Sequence, residues 1–225
     1  SMTTLLALDT ATEACSVALL HDGKVTSHYE VIPRMHAQKL LPMIKQLLAD
    51  AGVALNDLDA IAFGRGPGAF TGVRIAIGVV QGLAFALERP VLPVSNLAAL
   101  AQGALREQGV QQVAAAIDAR MGEVYWGCYQ AVAGEMRLQG LEAVLPPERV
   151  ALPEGSHGQW FGAGTGWSYA EQLAVQASAS NPAALPNALD ILTLANFAWA
   201  RGEAIAAEQA QPVYLRDNVA TPKAR

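Results

Sequence analysis

The sequence predicts an α/β protein built as two related lobes. Three observations carry this reading. After an opening hairpin, strand-like apolar runs alternate with helical runs, as in a mixed sheet with helices on its faces. A unit of apolar strand, aspartate, polar turn and second strand occurs in "LLALDTATEACSVALL" (5–20) and again in "AAAIDARMGEVYWGCY" (114–129), at the start of each half. No low-complexity linker separates the halves, so the lobes are expected to pack tightly.

Residues 4–9, "TLLALD", read as a buried strand ending in Asp9. "CSVALLHDGKVTSHYEVI" (15–32) reads as two strands joined at Asp22-Gly23, a hairpin signal. Pro33 stops the second strand, and 34–52 follows as a helix with Gly52 as its stop and Pro42 marking a kink or a late start. "AIAFG" (60–64) is a short strand. The loop "FGRGPGAFTGVR" (63–74) leads into a helix over about 71–88, with Thr71 as the expected N-cap. Strand-like "RPVLPVS" (89–95) precedes a helix over 96–109 ending at Gly109. Beyond the repeated unit, 145–150 starts a helix or turn and 159–167 is a strand entering a Gly-rich turn. Residues 181–186 form a loop, 187–204 a helix, and "PVYLRDNVATPKAR" an extended tail. The lobes are expected at 1–109 and 110–225, with the 187–204 helix free to pack back on the first.

The chain is 52% hydrophobic but only 16% charged, below the usual quarter or so of soluble domains. An apolar partner surface follows as an expectation. A net charge of −5 without a basic stripe excludes autonomous nucleic-acid binding, so any RNA is held through another subunit. Cys15 and Cys128 lie in strand-like runs and are expected to be buried, reduced thiols of a cytoplasmic protein. The opening residues lack a basic region and are broken by Asp9 and Glu13, so no secretory leader is predicted. The apolar stretch 75–87 is too short for a membrane span and reads as a buried helix.

The glycine loop fails both nucleotide templates. Gly66 and Gly72 have the wrong spacing for a Walker loop, and Val73 stands where its lysine belongs. The dinucleotide pattern also fails at its last glycine. A strand–turn–helix junction remains, with an anion-attracting helix start as its functional reading and a tight packing turn as its structural one. Two strand-ending aspartates, one per lobe, nevertheless suggest a degenerate nucleotide cleft. Asp9, Thr10 and Asp118 would face phosphates, and Gly162 and Gly164 of "GAGTG" a purine. The turns carry no lysine and no spare carboxylate for magnesium, so no catalytic residue is assigned; an autonomous ATP-dependent kinase or hydrolase is the alternative. The four histidines show no metal-ligand spacing, and no metal is expected. No Gly-x-Ser-x-Gly motif occurs.

In the helix after the loop, Arg74, Gln81 and Glu88 recur every seventh residue as one narrow polar stripe on an apolar cylinder. Such a helix needs cover on more than one side, and Gly78 and Gly82 leave a flat groove. A partner interface is therefore expected on Val73, Ile77, Val80, Gln81 and Ala84. The 34–52 helix would complete it with His36, Leu40, Met43, Ile44 and Leu47.

Four strings in order, "LALDTATEACSVAL", "GRGPGAFTGVRI", "IDARMGEVYW" and "PVYLRDNVA", resemble the bacterial TsaB (YeaZ) family over nearly the whole chain. The resemblance implies the duplicated actin/Hsp70/sugar-kinase-like, ribonuclease H-like fold. It implies a non-catalytic role in making threonylcarbamoyladenosine at position 37 of tRNAs reading codons that start with A. The implied partners are the catalytic relative TsaD, the ATPase TsaE, and a second copy when alone, paired through first-lobe helices. tRNA would be met only through the complex, no membrane is involved, and ATP or ADP binding would be at most vestigial. Catalytic relatives carry a His-x-x-x-His metal pair at the start of the helix after the strand resembling "PVLPVS". Here Asn96 and Leu100 hold that spacing, so neither metal binding nor protease activity is implied.

Overall fold

A computed structural model describes residues 2–216. Ser1 and the last part of the expected tail, 217–225, lie outside the described residues. The first half folds as β1 (Leu5–Asp9), β2 (Ala14–His21), β3 (Lys24–Val31), α1 (His36–Ala51), β4 (Ala60–Gly64), α2 (Phe70–Leu87), β5 (Val91–Val94) and α3 (Asn96–Gln108). The second half gives β6 (Gln112–Arg120), β7 (Glu123–Val132), β8 (Glu135–Leu145), β9 (Phe161–Ala163), β10 (Ala179–Asn181) and α4 (Ala188–Ala200).

The two halves repeat one sheet. In the first the strand order is β3-β2-β1-β4-β5, and in the second β8-β7-β6-β9-β10, so each strand of one has its counterpart in the other. In each sheet the first three strands pair antiparallel and the last two join parallel to the first. This is the duplicated ribonuclease H-like arrangement, and the strand–Asp–turn units open it at β1–β2 and β6–β7. The chemistry of the turns is local. Asp22 (φ 52°) and Gly23 (φ 75°) both take the left-handed conformation that a two-residue hairpin needs. Gly52 ends α1 in the same conformation and donates to Leu48 and Ala49 carbonyls. α1 continues through Pro42 without a late start.

Some elements depart from the sequence reading. α2 is not capped by Thr71: Ala69 is its N-cap, without a side-chain hydrogen bond, and Thr71 lies in the first turn. The helix is longer than the 75–87 stretch and, at 18 residues with a mean hydropathy of 1.7, is long and apolar enough to cross a membrane by composition. Its inner face nonetheless lies in the first-lobe core beside Leu8, Ile61 and Phe63. β8 and β10 were not expected. β8 is an edge strand whose apolar pattern is broken by Gly140 and by exposed residues, and β10 is only three residues long.

The helices closing each half are exchanged between the sheets. α3 packs on β6 to β9, whereas α4 packs on β1, β2, β4 and β5, and the two helices lie against each other between the sheets. One core therefore joins Leu5, Ala7 and Leu92 of the first sheet, Leu97 and Leu100 of α3, Ile191 and Leu192 of α4, and Val113 and Ala115 of the second sheet. A second core fills the outer side of the first sheet under α1 and α2. A third, with Trp126, Trp160 and Trp167, covers the outer side of the second.

Candidate functional site

The residues expected to form a nucleotide cleft are all placed by strand ends and turns, and each is occupied by the chain itself. Asp9 closes β1 and is fully buried. Its Oδ1 accepts from Asn96 Nδ2 at 2.7 Å, and Asn96 Oδ1 in turn accepts from the Gly66 N–H at 2.8 Å. Gly64, at the end of β4, seals it: a Cβ there would stand 2.0 Å from Asp9 Oδ1. Asp9 Oδ2 has no hydrogen-bond partner. Burial pushes its carboxyl up to about 7, only partly offset by Asn96 and the Ala11 backbone. A carboxyl so enclosed is suited to staying protonated rather than to facing a metal–phosphate.

The helix start after the glycine loop is filled in the same manner. Thr10 Oγ1 donates to the Gly72 carbonyl at 2.6 Å, and the Ala69 N–H donates to the Ala11 carbonyl at 2.8 Å. The β1–β2 turn thus packs directly on the loop, with the Ala11 carbonyl against the Ala69 N–H that precedes α2 and the Thr10 hydroxyl turned to a carbonyl of the first turn. Gly72 allows this approach, since a Cβ would lie 2.2 Å from the Thr10 carbonyl oxygen. Of the two readings left open by the sequence, the contacts fit the tight packing turn.

Asp118 sits at a bulge near the end of β6 and is half-buried. Its Oδ1 accepts from the Arg120 N–H (2.9 Å) and Tyr169 hydroxyl (3.3 Å), while its own N–H donates to Thr165 Oγ1 (3.0 Å). It organises the β6–β7 turn, and its partners are all from its own lobe. Gly162 and Gly164 do not open a purine slot. The Trp167 indole lies on Gly162, where a Cβ would be 2.3 Å from the ring, and its Nε1–H donates to the Ala114 carbonyl at 2.8 Å. Gly164 (φ 114°) is pressed onto the Ala116 carbonyl and the Leu100 side chain. A groove of about 420 Å³ does run between the lobes beside Tyr29, Asn181 and Asn187, with the bidentate Arg106–Asp190 pair (3.0 and 2.9 Å) in its wall. None of Asp9, Thr10, Asp118, Gly162 and Gly164 lines it.

Asn96 and Leu100, at the His-x-x-x-His positions, both point into packed surroundings and are buried. Among the described residues no three His, Cys, Asp or Glu side chains gather as a metal site. Cys15 and Cys128 are free and buried, which pushes each thiol up to about 11.

The expected partner residues need a correction of face. His36, Leu40, Met43, Ile44 and Leu47 of α1, and Val73, Ile77, Val80 and Ala84 of α2, are buried against the chain's own first sheet. His36 is consumed by the Thr12 carbonyl (2.7 Å) and the Ala14 carbonyl (3.2 Å), and Gln81 by the Ala210 carbonyl (3.1 Å). A helix apolar all round does not announce which face is inner, and the polar stripe turns out to mark the flank. The outer face of α2 presents Thr71, Gly78, Gly82 and Ala86, with Phe85 61% exposed and Phe70 56% exposed at its ends. Arg74 stacks over Phe70 at 4.7 Å, and Leu41 of α1 is exposed as well. A flat apolar face framed by aromatic rings and an arginine has the composition of an interface centre.

Sequence reasoning missed Glu142, Arg65 and the hub role of Asn96. A buried acid in "QGLEA", just after a glycine in an exposed strand, was the available signal for Glu142.

The family model for TsaD, tRNA N6-adenosine threonylcarbamoyltransferase, matches residues 24–224. The tRNA threonylcarbamoyladenosine biosynthesis protein TsaB of Escherichia coli (strain K12) is 49% identical over 224 residues, 97% of each chain. The TsaB of Haemophilus influenzae is 45% identical over 98% of this chain and 96% of its own length. Among solved structures, YeaZ from Pseudomonas aeruginosa superposes with a TM-score of 0.94 at 71% identity, covering 95% of this chain and all of that one. With a TsaD-type domain over most of its length and full-length TsaB relatives, the chain belongs to the TsaB family.

Proposed function

We propose that this chain is a non-catalytic subunit in the cytoplasmic synthesis of threonylcarbamoyladenosine at position 37 of tRNA. It acts as the platform for a catalytic relative, TsaD, with the ATPase TsaE joining the pair. One observation carries the reading. Where a two-lobed nucleotide enzyme needs open space, this chain has its own atoms: the Ala11 carbonyl at the helix start, Gly64 over Asp9 and Trp167 on Gly162. With net charge −5, the chain leaves the grip on tRNA to its partner.

The partner is met through the outer face of α2, and a second copy uses the same face when no partner is present. Phe85→Glu is expected to abolish co-purification with TsaD while leaving the melting temperature of the isolated chain within a few degrees, because the ring is exposed. An unaltered affinity would move the interface elsewhere. The function itself is tested by reconstitution. Modification of tRNA by TsaD and TsaE supplied with threonylcarbamoyl-adenylate, read by mass spectrometry of nucleosides, should need this chain and be restored equally by its Asp9→Asn variant. ATP turnover by the purified chain alone, lost on Asp9→Ala, would establish an autonomous enzyme instead.

A further inference from the structure

After α4 the chain runs back over the first lobe, and its last described residues lie on the second. Ile205 exchanges two backbone hydrogen bonds with Val91 on the outer edge of β5 (2.8 and 2.9 Å). Ala207 and Ala210 are buried in the first-lobe core. The Val213 N–H then donates to the Arg65 carbonyl at 2.9 Å, and the Tyr214 ring lies 5.2 Å from that of Phe70. Leu215 is buried with Ala119 and Val144 of the second sheet. Arg216 donates to the Ala119 carbonyl at 2.7 Å and pairs with Glu123 in the β6–β7 hairpin. A single strand of chain thus ties one lobe to the other outside the core that α3 and α4 share.

The glycine loop lies directly beneath this strand. Gly66 has φ 100°, and a Cβ on it would stand 3.0 Å from the Val213 carbonyl oxygen, so the loop is shaped to let the segment lie close. From the same loop Arg65 reaches Glu142 at 3.3 Å. Glu142 belongs to the second lobe, where an irregularity in the β7–β8 register brings it inward while its neighbour Leu141 is 86% exposed. Glu142 also accepts from the Tyr129 hydroxyl at 2.5 Å and from the Ser95 hydroxyl, the residue that caps α3. Two segments far apart in sequence, the 205–216 stretch and β8 of the second lobe, therefore converge on the 63–69 loop. The Arg65–Glu142 contact is charged and its carboxylate is largely desolvated, so parting the pair would strand a buried carboxylate.

We propose that the 63–69 loop and the 205–216 segment form a clasp that fixes the lobes in one relative orientation. The shared helical pair α3–α4 by itself resists separation but not sliding, since packed helices shear at low cost. The clasp closes the structure at a second place and removes that freedom. The loop that begins as a candidate phosphate cradle thereby has a different occupant, a segment of its own chain. This inference is independent of what binds the outer face of α2.

The test measures the inter-lobe distance in the full chain. Nitroxide labels at Lys39→Cys in α1 and Glu154→Cys in the second lobe sit on exposed positions, while the native thiols of Cys15 and Cys128 are buried. Pulsed electron–electron double resonance on labelled chain diluted into excess unlabelled chain should give one narrow distance distribution, unchanged by added Mg-ATP. Val213→Pro removes the N–H donated to Arg65, and Leu215→Asp expels the segment from the second sheet. Either variant should lose the single narrow peak while keeping its circular dichroism. A broad distribution in the unaltered chain would overturn the clasp, as would a narrow one preserved in the variants. If Leu215→Asp fails to fold, Val213→Pro, outside any strand or helix, decides alone.

Discussion

At the scale of single residues, Asp9 makes the sharpest case. It is a carboxyl with one oxygen bonded and one orphaned, under a glycine that leaves no room for solvent. Its folded value of about 7 lies above its ordinary 3.8, so the native state holds the proton more tightly than the unfolded chain. The stability this contributes is complete below about pH 4 and is lost as pH rises towards 7, by ~4 kcal/mol at most. Urea unfolding at pH 5 and pH 8 should show the unaltered chain weakening between them through this group, and Asp9→Asn should remove much of that fall. An identical pH slope in the variant would mean that water or rearrangement satisfies the carboxylate. Gly64→Ala should be severely destabilising, because its Cβ has nowhere to go except into Asp9 and Asn96. Circular dichroism melts would register it. The identity of Asp9 was plain in the sequence, as the end of an apolar strand. Its role was not, since no pattern tells an exposed strand-ending acid from one sealed by a glycine over fifty residues away.

At the scale of elements, α2 shows how far hydropathy reads. Its existence and approximate ends were legible from Val73 to Leu87. Which side is inner was not, because Val73, Ile77 and Val80 are no more apolar than Ile75 and Val79 on the other side. The hairpin turn at Asp22-Gly23 and the stops at Gly52 and Gly109 were legible for a better reason, namely that only a few residues take left-handed backbone cheaply. β8 was hidden because an edge strand exposes much of its length and this one carries an irregularity at Gly140. The inner and outer faces of α2 separate by experiment. Gly78 has nothing within 4 Å of a would-be Cβ, so Gly78→Ala should stabilise the isolated chain by about 0.5–1 kcal/mol. The same methyl roughens the flat outer face, and the variant should bind the proposed partner more weakly even as its melting temperature rises. A parallel gain in both would place the interface off Gly78.

At the scale of the whole molecule, the lobes are two sheets but not two folding units. With α3 laid on the second sheet and α4 on the first, each sheet depends on the other half of the chain for one of its covers. Calorimetry of the full chain should therefore show one cooperative transition. A fragment of residues 1–109 should aggregate or bind a hydrophobic dye, because its sheet face with Leu5, Ala7 and Leu92 loses α4. A soluble fragment with its own sharp transition would contradict this. The duplication was visible in the echo of "LLALDTATEACSVALL" by "AAAIDARMGEVYWGCY", and the return of the 187–204 helix to the first lobe was anticipated, but the crossing of α3 to the second sheet was not, because nothing in an apolar helix names the sheet that it will cover.

That exchange also sets a schedule for synthesis. Ser16, near the start, accepts the N–H of Ala188, near the end. On the ribosome the first sheet can pair its strands early, but one of its faces must wait, greasy and bare, until α4 has emerged, since Ala188 follows Ser16 by 172 residues. Over that interval the nascent chain carries an apolar sheet face that only shielding keeps from aggregation, and slow stretches of decoding would lengthen the exposure.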